Sequence, residues 1–171
     1  MSISKTKQIP QIVPLTAKTL KSALDLVNSC FPVQMESEKA DFWIPASLGM
    51  HDTRKKNRTA ISGRYWTACA RGKVVGVIGL WEKKKTMKQE YWIGWFCVDP
   101  AARKKGIGTA LLDFAIAQAR KDKKKYLKLY TSEDPAEAAA QHLYEKKGLK
   151  ITTKKKFKDF SYTTIYRMRR L

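Results

Sequence analysis

Apolar residues return along the chain at two spacings, and each spacing names an element. Residues 9–15 read as a short strand, which Pro10 and Pro14 confine to a sheet edge or a strand end. Thr16 then offers a helix cap, and Leu20, Ala23, Leu24, Val27 and Phe31 follow at helical spacing. From residue 32 to 64 the pattern weakens. A second helical piece is predicted near residues 36–43, residues 51–58 (HDTRKKNR) read as a polar loop, and Phe42, Trp43 and Met50 suit either a core or a pocket. Three extended stretches follow at 65–70, 74–81 and 89–98, separated by a tight turn at Arg71 and Gly72 and a charged turn at 82–88, which is an antiparallel meander. Asp99 and Pro100 stop the third strand. Ile107, Leu111, Leu112, Phe114, Ala115 and Ala119 then mark the buried side of a helix. A short strand at 126–131 leads to a helix that Pro135 opens and Gly148 ends. Strands at 149–157 and 162–168, with a turn near 158–160, close an α/β protein with a mixed sheet.

Composition narrows the class. With 43% hydrophobic residues in 171, the chain can build a real core, and one domain over 1–171 is expected. No apolar run approaches the roughly 20 residues that span a bilayer, and the first residues lack a secretory pattern, so a cytoplasmic location without membrane insertion is expected. Cys30, Cys69 and Cys97 are odd in number and widely spaced, which points to reduced thiols and to no metal site. Lys plus Arg number 35 against 15 Asp plus Glu, a net charge of +20, so non-specific polyanion binding at low salt is expected. The lysine runs at 83–85, 123–125 and 154–156 read as solvated faces. The C-terminal KKKFKDFSYTTIYRMRRL interleaves basic and aromatic residues and keeps a nucleic-acid-associated protein open as the alternative.

The chemistry concentrates in residues 97–112, where a strand runs through a loop into a glycine-rich helix start. Free first-turn N–H groups, glycines that admit close approach, and Arg103, Lys104 and Lys105 together make an anion site. Arg103-x-x-Gly106-x-Gly108, directly after a strand ending in Val98, resembles the acyl-CoA signature of the GCN5-related N-acetyltransferase (GNAT) superfamily. His142-Leu143-Tyr144-Glu145-Lys146-Lys147-Gly148-Leu149 resembles its second landmark, in the same order and spacing. The resemblance covers roughly residues 74–151. It implies a GNAT-like fold: a mixed, mostly antiparallel central sheet of about seven strands flanked by about four helices. Three positions depart from the pattern. No Asn stands in residues 136–140, Trp92 falls near the place of a glutamate used as base in some members, and Leu149 replaces the more usual Phe.

The resemblance also implies an activity: direct transfer of the acetyl group of acetyl-CoA to a primary amine, small-molecule or protein, through a ternary complex. The donor would enter where two strands splay apart. The backbone of Phe96, Cys97 and Val98 would pair with its pantetheine arm, and an N–H near a bulge would meet the thioester carbonyl. The amides of Lys105, Gly106, Ile107, Gly108, Thr109 and Ala110 would hold the pyrophosphate, with Arg103 and Lys104 nearby and the Thr109 hydroxyl as a further contact. Tyr144 would protonate the departing thiolate. The base is less defined. Glu90 and Glu82 are candidates, although both also read as solvated strand-end charges, and His51 and His142 read mainly as surface residues. Cys97 could in principle carry an acetyl group. For the acceptor, Glu36, Glu38, Asp41 and Asp52 form an acidic group, and Tyr65, Trp66, Trp81, Tyr91, Trp92 and Trp95 suit either a pocket or sheet core. A non-catalytic acyl-CoA sensor is a third reading; monomer and homodimer remain equally open.

Overall fold

The computed structural model describes residues 10–53, 59–158 and 160–171. Most of the predicted polar loop at 51–58 therefore lies outside the described residues, as does one position of the last predicted turn. The chain begins with β1 (Gln11–Pro14), α1 (Ala17–Cys30), a 3-10 turn (Glu36–Glu38) and α2 (Ala40–Ala46). The meander is β2 (Ala60–Ala70), β3 (Lys73–Lys83) and β4 (Glu90–Val98). After it come α3 (Ile107–Lys121), β5 (Tyr126–Ser132), α4 (Ala138–Lys146), β6 (Lys150–Lys155) and β7 (Thr164–Arg170). The element order is the predicted one. β2 begins five residues earlier than its aromatic pattern suggested, because its first part pairs with β3 through register shifts that break alternation.

The seven strands form one sheet in the order β1-β2-β3-β4-β5-β7-β6, antiparallel except for the β4–β5 pair. The proline-bearing β1 is an edge, as expected, and the other edge is the fully exposed, lysine-rich β6, whose charges discourage further pairing. Helices cover both faces. The α1 stripe predicted from spacing buries Ala23 and Val27, which pack with Trp43 and Ile44 of α2 on Tyr65, Val77, Trp81 and Cys97. On the other face Ile107, Leu111, Leu112, Ala115 and Ala119 of α3 and Tyr144 of α4 pack on Trp66, Ile78, Leu80, Tyr91 and Ile93. The meander's first turn sets both Arg71 and Gly72 at positive φ, the twist a two-residue hairpin loop needs.

The central strand is irregular at one point. Ile78 pairs with Phe96 but Leu80 pairs with Ile93, so β4 carries one extra residue around Gly94 and Trp95. Such a bulge shifts alternation by one. Tyr91 and Ile93 before it, and Phe96 and Val98 after it, therefore all face α3 and α4. A ring makes the bulge possible: a Cβ on Gly79 would stand 2.3 Å from the Tyr65 ring, and one on Gly94 2.6 Å from its hydroxyl.

Candidate active site

β4 and β5 pair only at Glu90, Tyr91 and Trp92, opposite Tyr126, Leu127 and Lys128. Beyond those rungs the strands part. β4 stays with β3 to Val98, and β5 stays with β7 to Ser132, leaving a V-shaped opening in the sheet. The Asp99 N–H donates to the Val75 carbonyl at 2.9 Å. By antiparallel alternation Cys97 also turns its backbone toward β3, whereas Phe96 and Val98 turn theirs toward the opening. The Val98 carbonyl is partly engaged, accepting from Arg103 Nε at 3.1 Å and from the Cys30 thiol at 3.9 Å. The bulge N–H, from Trp95, donates to the Tyr65 hydroxyl at 3.3 Å, and Trp81 Nε1 donates to the same oxygen at 3.2 Å. The donor aimed into the opening is thus the Phe96 N–H rather than that of the bulge itself. Burial pushes the Tyr65 phenol up to about 12, so it remains a neutral clamp.

The loop after β4 delivers the next feature. Asp99 caps a 3-10 turn (Pro100–Ala102) by accepting from the Ala101 N–H at 2.9 Å. Lys104 and Gly106 then take positive φ, and Gly106 is the N-cap of α3. A Cβ on Gly106 would have no neighbour within 4 Å, so this cradle is open on its outer side. Ala110 donates its N–H to the Gly106 carbonyl at 2.9 Å. This corrects the expectation that Ala110 serves an anion, since it is the first residue inside the helical ladder; free first-turn amides stop at Thr109. Lys105 also differs from expectation: its ammonium folds back onto the Ala101 carbonyl at 3.2 Å and buttresses the loop. Arg103 and Lys104 are exposed beside it.

Tyr144 reaches the same region from α4. Its ring lies 6.2 Å from that of Phe96, inclined at 51°. The residue is buried, and among the described residues its hydroxyl has no hydrogen-bond partner. Burial, helped by the charge of Glu137 and opposed by Arg167, raises its pKa well above the ordinary phenol value. Its phenol therefore stays protonated. The residues after it explain the rest of the motif. Gly148 takes φ +72, Leu149 N–H donates to the Tyr144 carbonyl at 2.9 Å and Gly148 N–H to that of Glu145 at 2.9 Å, a Schellman stop. Arg167 of β7, which sequence reasoning missed among the C-terminal charges, locks this helix: it donates to Gln141 (2.9 Å), Glu145 (2.6 Å) and the Leu149 carbonyl (2.7 Å).

The profile of the acetyltransferase (GNAT) family matches residues 20–149. The chain belongs to that family. Its fold recurs in a GNAT-family protein from Desulfovibrio desulfuricans (TM-score 0.75, 17% identity, 94% of this chain and 98% of that one). It recurs also in a GNAT acetyltransferase from Elizabethkingia anophelis solved with acetyl-CoA bound (0.71, 22%, 96% and 99%). The ribosomal-protein-S18-alanine N-acetyltransferase of Escherichia coli is a further neighbour (0.69, 18%, 94% and 92%). No curated protein shows significant sequence similarity to the chain. Among the described residues no helix is long and apolar enough to cross a membrane.

Within this GNAT frame the structure does not bring either expected glutamate to Tyr144. Glu90 stands at the closed end of the opening, six residues or about 20 Å along β4 from Phe96. It is ion-paired to Lys128. Burial alone would raise its carboxyl, but hydrogen bonds from Lys128 and Thr86 prevail and hold it below the ordinary carboxylate range, a poor setting for a base. Glu82 pairs with Lys124 at 2.7 Å and accepts from Ser62 at 2.9 Å. It lines a separate cavity of about 390 Å³ with Arg64, Tyr91 and Asp122. His142 is exposed, and His51 stacks on Phe42 with ring centroids 5.0 Å apart. Cys97 is buried on the α1 side of β4, facing away from Tyr144, and shares a sulfur hydrogen bond with Cys30. That bond lowers the Cys30 thiol and raises the Cys97 thiol, which burial raises further, so Cys97 stays a protonated thiol.

Proposed function

We propose that this GNAT protein transfers the acetyl group of acetyl-CoA to a primary amine, directly and through a ternary complex, in the opening between β4 and β5. The observation that carries the reading is the convergence there of unpaired backbone, free helix amides and a protonated tyrosine. The residues present fit the donor. The Phe96 and Val98 backbone supplies a strand edge for a pantetheine arm, and the Gly106 cradle leaves room for a pyrophosphate before the amides of Gly106, Ile107, Gly108 and Thr109. Arg103 and Lys104 add charge at the loop. When bound, acetyl-CoA supplies an activated acyl group on a thiol leaving group. The Phe96 N–H stabilises the negative charge that grows on the thioester oxygen as the amine attacks. Tyr144 gives its proton to the departing thiolate.

The test is a thermal-shift titration with acetyl-CoA at physiological salt, with ATP and polyphosphate as controls because a charge of +20 draws any phosphate. A rise several degrees larger for acetyl-CoA than for the controls is expected. Equal shifts for all three overturn the reading.

A further inference from the structure

The face of the opening that looks away from Tyr144 carries a second constellation. α1 and α2 pack on β2, β3 and the adjoining part of β4, whereas farther along that face Tyr130 of β5 is exposed. There Trp92 of β4, Tyr130 of β5 and Tyr166 of β7 form a row of rings. Centroids are 6.4 Å apart for the first pair and 6.0 Å for the second, and Tyr130 and Tyr166 are direct cross-strand partners. Tyr130 stands two residues past the last β4–β5 rung, at the root of the opening.

The segment joining α1 to α2 crosses above this row. It starts at Phe31, whose ring lies 5.0 Å from that of Trp95 at the bulge, and it ends at Glu38, which accepts a hydrogen bond from the Tyr130 hydroxyl at 2.6 Å. The neighbouring acids are engaged elsewhere: Glu36 pairs with Lys39 at 2.6 Å, Asp41 accepts from Asn28 at 3.1 Å, and Glu90 pairs with Lys128. Among the described residues Glu38 makes no ion pair, and its hydrogen-bond partner is a neutral phenol. The rings meanwhile already attract primary ammoniums: those of Lys83 and Lys128 lie 3.6 Å and 5.7 Å from the Trp92 centroid, and that of Lys155 lies 5.8 Å from the Tyr166 centroid. A π-face with a carboxylate beside it is the environment an alkylammonium prefers.

We propose that Glu38, positioned by Tyr130, receives the acceptor as a primary alkylammonium and takes up its proton. The proposal rests on the transferase reading above and names the acceptor class and its base. The ammonium loses one proton to the Glu38 carboxylate, and the freed lone pair forms the C–N bond at the thioester carbon. The C–S bond breaks, and the thiolate takes the Tyr144 proton. The second amine proton returns to the Tyr144 phenolate, so one proton leaves through Glu38 per turnover. Acid and base thus stand on opposite faces of the sheet, with the reacting carbon between them. The charged group that interacts with Glu38 across the sheet is Lys83 of β3, which Glu90 of β4 and Lys128 of β5 also influence; Glu36 and Lys39 belong to its own segment and Asp41 to the first turn of α2.

The experiment measures acetyl-CoA consumption with phenethylamine and n-hexylamine for the wild type, Glu38→Gln, Glu38→Asp and Tyr130→Phe, from about pH 7 to about pH 10. Glu38→Gln is expected to lose about 30-fold in kcat/KM near pH 7. That loss should shrink to about threefold as the amine deprotonates in solution, and Glu38→Asp should regain part of it. Tyr130→Phe, which keeps the carboxylate, should lose about fivefold, and it becomes the deciding variant if Glu38→Gln does not fold. A Glu38→Gln enzyme within about threefold of wild type near pH 7, a loss independent of pH, or a wild type that consumes neither amine overturns the proposal. Acetyl-CoA melting shifts measured alongside separate the two failures. A shift without amine turnover sinks this proposal alone, and no shift sinks the transferase reading as well.

Discussion

The two ends of β4 lie on one nine-residue strand and are treated in opposite ways. At Glu90, Tyr91 and Trp92 the strand pairs with β5, Trp92 pairs with β3 as well, and the buried Glu90 carboxylate is matched by Lys128. At Phe96 and Val98 the second partner is gone and α4 sets a tyrosine over the gap. Unmade backbone hydrogen bonds facing a gap are costly unless something fills it. The closed end is thus held by a second strand and an ion pair, and the open end leaves strand backbone without a strand partner. Of the two glutamates suggested by sequence as a base, Glu90 stands at the closed end and Glu82 stands beside Lys124 in a separate cavity.

Changes at each end sharpen that contrast. The largest effect is expected from Lys128→Met, which strands the buried Glu90 carboxylate and should cost roughly 2–3 kcal/mol in denaturant unfolding, with turnover per folded molecule little changed. The same pair predicts a pH dependence. The Glu90 pKa is lowered on folding, so its stabilisation is complete above the unfolded carboxyl value of about 4.3 and is lost as pH falls through the folded value. Lys128→Met should flatten that acid limb, and an unaltered limb would show that Glu90 is not its source. Next in size, Tyr144→Phe should lower turnover at least about tenfold, roughly 1.4 kcal/mol in barrier, without weakening acetyl-CoA binding. Equal turnover would remove Tyr144 from the chemistry.

Gly106→Ala should cost about 1 kcal/mol through its left-handed backbone, and its methyl, pointing into open space, should weaken acetyl-CoA more than ATP or polyphosphate. Equal weakening would mean that the cradle does not discriminate. The smallest effect is expected from Glu90→Gln, whose turnover per folded molecule should stay within about twofold of wild type. A large loss there would reverse the assignment of the two ends.

The order of elements was legible because most are strongly periodic, and the loop from Arg103 to Gly108 was legible because glycine and arginine spacing reports backbone need directly. The bulge was not. Gly94 and Trp95 look like ordinary strand residues, and only the packing of Tyr65 over Gly79 and Gly94 shows why alternation slips. Arg167 was hidden among many exposed basic residues, since nothing in its neighbours announces that it is buried on α4. Glu38 was visible only as one of four acids; its pairing with Tyr130 joins residues 92 apart in sequence, which no local pattern encodes.

The parting of β4 from β5 has a mechanical side. Three rungs join the β1–β4 portion of the sheet to the β5–β7 portion, against seven between β5 and β7. The sheet is a pair of leaves on a short hinge, and each leaf should open as its own cooperative unit. Amides of β5 and β7 should exchange with solvent at a rate distinct from those of β2 and β3. Anything that bridges the leaves should pull the two rates together.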